Sequence, residues 1–372
     1  MGESAVIARL AANTKKGYSL DQKFYCDDAV FEADMQRVIG RKWLVAGHVD
    51  RVRNKGDYFL FKIGNESIII IRSDESTVSA FYNVCRHRGS LICTKPEGRL
   101  ARLTCGYHAW SYGLDGALLA ARLMPADFSK KDNALHRCHI RVFYGFIFIN
   151  LSDEAPVDFD AAFADLGPYL DFHGLADAKI AHSQSYPTTA NWKLIVENFM
   201  ECYHCANLHP ELVAVIPEFR RGFPTQHKVG YGAAFGADIK GFTFDGREGF
   251  GSLDGLGAEQ ERHYYGMTVL PQLVINLVPD HAIVHRIFPV AADRTVVRCD
   301  WLFAPEVVDG GHDLGPSIEL FHRVNTQDFG AVEGCQPSMS SRAFKDGGVF
   351  VPAEHHIAAF NQWVRDRLDE PE

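Results

Sequence analysis

Two short segments constrain this chain more than anything else in it. Cys85-Arg86-His87 follows one apolar run, and Cys105-Gly106-Tyr107-His108 follows a second. Each segment offers one thiol and one imidazole. A zinc finger of the two-cysteine, two-histidine kind takes its cysteines from a hairpin and its histidines later, from a helix. Mixed pairs from two loops instead suit a two-iron cluster in which one iron takes both sulfurs and the other both imidazoles. A single zinc, or core cysteines beside surface histidines, are the competing readings.

The texture around these segments is that of a small all-β domain from Trp43 to Leu151. Strands are expected at Tyr58–Ile63, Ser67–Arg72, Val78–Asn83, Arg102–Thr104 and Val142–Leu151, with a hairpin turn at Asn65-Glu66. Residues 1–42 read as an N-terminal arm with Phe31, Met35, Val38 and Ile39 on one helix face. After Asp153-Glu154-Ala155-Pro156 the pattern turns helical at Phe159–Leu166, then in a long helix over Asn191–Leu208 that Pro210 stops. A loop-rich stretch runs from Ile216 to Gly257. Strands follow at Thr268–Leu277, Ala282–Val290 and Thr295–Ala304, and then helices at Pro316–Gly334 and Pro352–Leu368. In the last helix Ile357, Phe360, Val364 and Leu368 share a face that suits packing on a sheet. The class is α+β, with an arm over 1–42, a β domain over 43–151 and a second domain over 152–372.

A chain of 372 residues supports two domains, or three, each burying a core without disulfide staples. Nine cysteines, an odd count, argue against a disulfide framework and for metal binding by some of them. A net charge of −9 argues against nucleic acid as a partner. The uncharged run Val142–Asn150 is about half of what a membrane helix needs. Met1 to Leu10 lacks the basic start and long apolar core of a secretory signal, so a cytoplasmic location is expected. No Gly-rich phosphate loop or dinucleotide fingerprint is present in the sequence.

A second constellation lies on the long helix. Glu201 and His204 are three apart, and His209 falls where Pro210 ends the helix. Two imidazoles and a distant carboxylate make the facial triad of mononuclear Fe(II) sites, which leaves positions open for O2. Solvated surface histidines are the bland alternative. Cys202-x-x-Cys205 could form a redox dithiol or a zinc site; beside a triad the two read as packing residues.

Cys85-Arg86-His87-Arg88-Gly89 and Cys105-Gly106-Tyr107-His108-Ala109-Trp110-Ser111-Tyr112-Gly113-Leu114-Asp115-Gly116 resemble the Rieske domain of non-heme iron oxygenases. Ala109 stands where many members carry Gly. Ser90 and Tyr107 stand where respiratory Rieske proteins carry an additional cysteine pair. With few hydroxyl donors to the sulfurs, a potential near the low end of the range, about −150 mV, is expected. The order of these loops, then Asn191-Trp192-Lys193, then Glu201, His204 and His209, resembles the catalytic α subunit of that family over essentially the whole chain.

The resemblance implies an all-β Rieske [2Fe-2S] domain and a helix-grip catalytic domain of antiparallel sheet and helices. It implies that Cys85, His87, Cys105 and His108 hold the cluster, and that His204 and His209 hold the iron. Asp328 in Thr326-Gln327-Asp328-Phe329 matches the third ligand, with Asp313 and Glu333 as alternates. Glu201 matches the carboxylate that links a Rieske histidine of a neighbouring subunit to an iron histidine. A homotrimer, O2 as co-substrate and a separate reductase carrying NAD(P)H electrons are implied as well.

Most ring-hydroxylating members have Asp at the bridging position. Glu201-Cys202-Tyr203-His204-Cys205 and the run Tyr18-Ser19-Leu20 to Phe24-Tyr25 resemble the subgroup acting on choline, carnitine, glycine betaine and proline betaine. For such a substrate, hydroxylation of an N-methyl carbon gives a carbinolamine that collapses to formaldehyde and the demethylated amine. Aromatic residues between Phe219 and Phe250 suit a methylammonium cation, though most of the 26 Phe serve the core. The segment from His209 to Asp328 is shorter than in betaine-demethylating members. The alternative is therefore hydroxylation of an aromatic or other neutral or anionic substrate by the same machinery; a non-catalytic zinc or electron-transfer module is the reading from another class.

Overall fold

The computed structural model describes residues 17–369 except 155, 157, 223, 224, 228, 248, 252, 254 and 346, so the reading of Met1 to Leu10 falls outside it. The chain divides into a unit of Lys42–Pro156 and a second unit formed by the segments on either side of it. No helix among the described residues is long and apolar enough to cross a membrane.

The smaller unit is three small sheets. Strands β2 (Asp57–Ile63), β3 (Glu66–Arg72), β4 (Val78–Tyr82) and β5 (Glu97–Arg99) form the first, in the order β4-β3-β2-β5. Ile68 to Ile71 are fully buried in it, as a run apolar at every position requires when both faces are covered. The β2–β3 hairpin turns on Gly64, at φ 53°, and Asn65, so Glu66 already opens β3. Strands β6 (Leu103–Thr104), β7 (Ser111–Tyr112) and β8 (Leu118–Ala120) form the second sheet. The third is β1 (Leu44–His48) with β9 (His139–Phe143) and β10 (Phe146–Asn150); Leu44 pairs with Ile149. The single strand expected over Val142–Leu151 is thus a hairpin. Tyr144 and Gly145 hold φ at 44° and 80°, the two consecutive positive values a tight two-residue turn needs, and Tyr144 disguises that turn in the sequence.

The larger unit is built on a seven-stranded antiparallel sheet, in the order β11-β17-β16-β15-β14-β13-β12. Its strands are β11 (Lys179–Thr188), β12 (Thr225–His227), β13 (Gly230–Ala234), β14 (His263–Val269), β15 (Leu273–Val278), β16 (His281–Ala291) and β17 (Arg294–Phe303). The expected strand Thr268–Leu277 straddles the turn between β14 and β15. Edge strand β11 was not expected, because Pro187 and its polar, part-exposed residues break the alternation.

Ten α-helices in the described residues complete this unit: α1 (Lys23–Cys26), α2 (Asp28–Ala33), α3 (Phe159–Phe163), α4 (Gly167–Phe172), α5 (Trp192–Phe199), α6 (Cys205–Leu208), α7 (Pro210–Val215), α8 (Pro305–Asp309), α9 (Gly315–Cys335) and α10 (His355–Asp369). Helix α9 buries Leu320, Phe321, Val324, Asn325, Asp328, Phe329 and Val332. Trp192 of α5 meets Phe360 of α10 edge to face at 5.9 Å. Near the N-terminus the buried face is Val30, Ala33, Asp34, Arg37, Val38 and Ile39, not the apolar stripe through Phe31 and Met35. The polar members are paired: Asp34 with Lys193 and with the Trp192 indole N–H at 3.1 Å, and Arg37 with the Leu368 carbonyl at 2.7 Å.

The long helix expected over Asn191–Leu208 is interrupted. Asn191 caps α5 by accepting the Lys193 N–H at 2.9 Å. Helical hydrogen bonding then stops after Met200, because the Glu201 carboxylate takes the backbone N–H groups of Tyr203 and His204. Cys202 and Cys205, expected as packing residues in a chain free of disulfides, are joined to each other across this turn. Pro210 does not merely end a helix; it starts α7, where its missing N–H costs nothing.

Candidate metal centres

The two loops of the small unit are built alike. In the first, the Cys85 N–H donates to the Ser90 carbonyl at 2.9 Å and the Gly89 N–H to the Cys85 carbonyl at 3.0 Å. In the second, Cys105 N–H donates to Trp110 at 2.9 Å and Ala109 N–H to Cys105 at 3.1 Å. Both turns need a left-handed residue, supplied by Gly89 at φ 73° and Ala109 at φ 58°. Cys85 and Cys105 are buried, whereas His87 and His108 are exposed with ring centroids 4.5 Å apart. Trp110 stacks on His87 at 5.0 Å. Burial raises the Cys105 thiol, but the Tyr107 N–H, Cys85, the His108 N–H and Ser90 together bring it below its ordinary value. A donor set with thiols inside and imidazoles outside fits a Rieske [2Fe-2S] cluster. A hydroxyl reaches the sulfurs: Tyr112 Oη lies 3.4 Å from Cys85 Sγ.

The second centre gathers residues from the α5–α7 segment and from α9. His204 Nε2 lies 3.3 Å and His209 Nε2 2.8 Å from the same atom, Asp328 Oδ1. The two rings are 5.1 Å apart and nearly perpendicular. The other nitrogen of each ring is engaged: His204 Nδ1 with Glu201, and His209 Nδ1 with Gln327 Oε1 at 2.8 Å. Asn198 donates to Asp328 Oδ1 at 3.3 Å. Burial alone would lower His204, but Asp328 and Glu201 outweigh it and hold the imidazole up at about 10. Burial would likewise raise Asp328, yet His204 and His209 bring it down to about 2. Three donor atoms that converge while their far sides are tied down fit a two-histidine, one-carboxylate iron site. Cys205 Sγ is 3.9 Å from His204 Nε2, but its disulfide leaves no thiolate to bind metal.

The alternates for Asp328 lie elsewhere. Asp313 accepts the Gly315 N–H at 3.0 Å, and Glu333 accepts from Thr189 N–H and Oγ1 at 2.8 and 3.0 Å. Glu201 and His204 do meet, through a turn rather than a helix face. Sequence reasoning missed Gln327, Asn198 and Tyr112. Tyr112 lies in the quoted loop segment and could have been suspected as a sulfur donor. Gln327 and Asn198 gain meaning only once α9 packs beside α5 and α7.

A cavity of about 310 Å³ opens beside Met200, bounded by Tyr231, Gly266, Thr268 and His356 among others. Of the aromatic residues between Phe219 and Phe250, Tyr231 reaches this cavity, whereas Phe219, Phe235 and Phe242 are core residues packed on one another or on Tyr264.

Residues 42–132 match the family model of the Rieske [2Fe-2S] domain, and residues 175–370 that of the ring hydroxylating alpha subunit, catalytic domain. The glycine betaine monooxygenase oxygenase subunit of Pseudomonas aeruginosa is 33% identical over 94% of this chain and 89% of its own length. The carnitine monooxygenase oxygenase subunit of Escherichia coli K12 is 30% identical over 94% of both. Among solved structures, a quaternary ammonium Rieske monooxygenase in complex with L-carnitine superposes with a TM-score of 0.74 at 26% identity, covering 97% of this chain and 98% of that one. Naphthalene 1,2-dioxygenase from Rhodococcus sp. shares the fold, with a TM-score of 0.79 at 19% identity over 99% of each chain.

Proposed function

We propose, from the premise that this chain belongs to the Rieske-type ring-hydroxylating oxygenase α-subunit family, that it is a terminal oxygenase component removing a methyl group from a small quaternary ammonium substrate. The observation that carries this reading is the convergence of both Nε2 atoms on one Asp328 oxygen while Glu201 and Gln327 hold both Nδ1 atoms. When bound, the cluster would supply electrons singly and the iron would activate O2. Overall, an N-methyl group, O2, two electrons and two protons become formaldehyde, demethylated amine, water and one released proton.

In this reading Cys85, His87, Cys105 and His108 hold the cluster, and His204, His209 and Asp328 hold the iron. A carboxylate offers about four lone-pair positions, and Glu201 uses three: on the His204 ring and on the N–H groups of Tyr203 and His204. One remains for an imidazole N–H from a neighbouring subunit, in keeping with a homotrimer. Electrons come from a separate reductase, in the cytoplasm. Support for the substrate class comes from Glu at position 201, from kinship with glycine betaine and carnitine oxygenase subunits along 94% of the chain, and from a cavity whose wall includes the Tyr231 ring and Met200.

The purified protein, supplied with a reductase and NADH, is offered choline, carnitine, glycine betaine and proline betaine beside benzoate and naphthalene. Formaldehyde release from one of the first four, matched to O2 uptake, is expected. Ring hydroxylation without formaldehyde from any of them would overturn the substrate reading.

A further inference from the structure

We propose that Gln327 is the positioning residue that decides which nitrogen of His209 faces the metal, and that Glu211 and Arg323 set Gln327 for this task. The proposal rests on His209 being an iron ligand. A primary amide can present either its oxygen or its NH2 to a neighbour, so Gln327 alone fixes nothing. Its surroundings remove the choice. Gln327 Nε2 lies 3.2 Å from Glu211 Oε2, and a carboxylate only accepts, so the NH2 end must face Glu211. The amide oxygen is then the atom 2.8 Å from His209 Nδ1. An amide oxygen only accepts as well, so Nδ1 donates its proton to Gln327, and Nε2, on the Asp328 side of the ring, is the nitrogen left to ligate a metal.

Glu211 is held in turn by Arg323, one turn before Gln327 on α9, at 3.6 Å. The chain of contacts therefore runs from α9 to α7 and back into the site: Arg323, Glu211, Gln327, His209. His204 receives its orientation differently, from the anionic Glu201. One imidazole leans on a charge that also serves the backbone turn, and the other on a neutral amide backed by a charge one residue further away. Partners of this kind typically contribute 10–100-fold in metal affinity.

The test is anaerobic Fe(II) titration of protein stripped of mononuclear iron, with the Rieske visible and EPR signals read in parallel as a control of folding. Gln327→Leu is expected to weaken Fe(II) binding by about 10–100-fold with the Rieske signals unchanged. The exchanged pair Gln327→Glu with Glu211→Gln restores an acceptor toward His209 and a donor between the two side chains, and is expected to bind Fe(II) within a few-fold of the wild type. Wild-type affinity in Gln327→Leu, or an exchanged pair as weak as Gln327→Leu, would overturn the proposal. His209→Ala separates the two levels: if it too binds Fe(II) normally, His209 is no ligand and the underlying reading fails, whereas its loss beside a normal Gln327→Leu removes only the role of Gln327.

Discussion

Ala109 holds a left-handed backbone conformation at φ 58°, and the matching place in the other cluster loop is Gly89 at 73°. A β-carbon there costs about 1–2 kcal/mol, part of which a glycine gives back as extra freedom in the unfolded chain. Ala109→Gly is therefore expected to stabilise the small unit by about 0.5–1 kcal/mol net. Thermal unfolding followed by the cluster absorbance measures it, and a lower midpoint for the variant would contradict the argument. The substitution looks neutral in sequence, because alanine and glycine are both small; the sign of φ is what separates them. The same limit applies across the site. Cys85, His87, Cys105 and His108 were legible because a repeated local turn carries them, and Asp328 because a sequence resemblance marks it. Gln327 was not, since its role depends on Glu211, which only packing brings near.

Helix α5 shows what happens one level up. Its start at Asn191 and its helical spacing were readable, but its end was not, because Glu201 stops the helix through side-chain bonds to the backbone that no periodicity announces. On this helix Glu197 accepts the Tyr25 hydroxyl at 2.7 Å and is pushed up to about 7, chiefly by burial, against the lowering influence of Tyr25 and Lys193. An acid raised on folding stays protonated in the native state while the unfolded chain ionises. Stability is therefore full below about pH 4.5 and declines as pH rises to about 7, by up to about 3 kcal/mol. Glu197→Gln keeps an acceptor for Tyr25 and abolishes the ionisation. Urea unfolding between pH 5 and 8 should show a falling midpoint for the wild type relative to the variant. Parallel curves would mean that Glu197 does not titrate in this range.

Across the whole molecule the α+β class was legible, since turn residues at Pro279-Asp280 and Ala292-Asp293 separate β15, β16 and β17, while the antiparallel sheet of the second unit followed from the resemblance. The membership of the first forty residues was not: Lys193 Nζ donates to the Phe24 carbonyl at 2.9 Å and pairs with Asp34, contacts made by polar groups that read as surface. The division of the chain leads to a further expectation. Residues 42–156, expressed alone with iron and sulfide, should fold and show the Rieske spectrum; a fragment that remains unfolded under those conditions would show that its core of Tyr58, Ile69, Phe81, Trp110 and Tyr112 is not self-sufficient.

The pairing of Leu44 with Ile149 has a bearing on that expectation. The chain comes into the small unit on β1 and departs on β10, and these two strands are hydrogen-bonded neighbours. Once folded, the unit holds its own ends together. Between Leu44 and Ile149 the folded unit is then a short tether rather than a free loop of the full intervening length. A few glycines and serines in place of the whole unit are therefore expected to leave the larger sheet folded, as circular dichroism of the shortened chain would check.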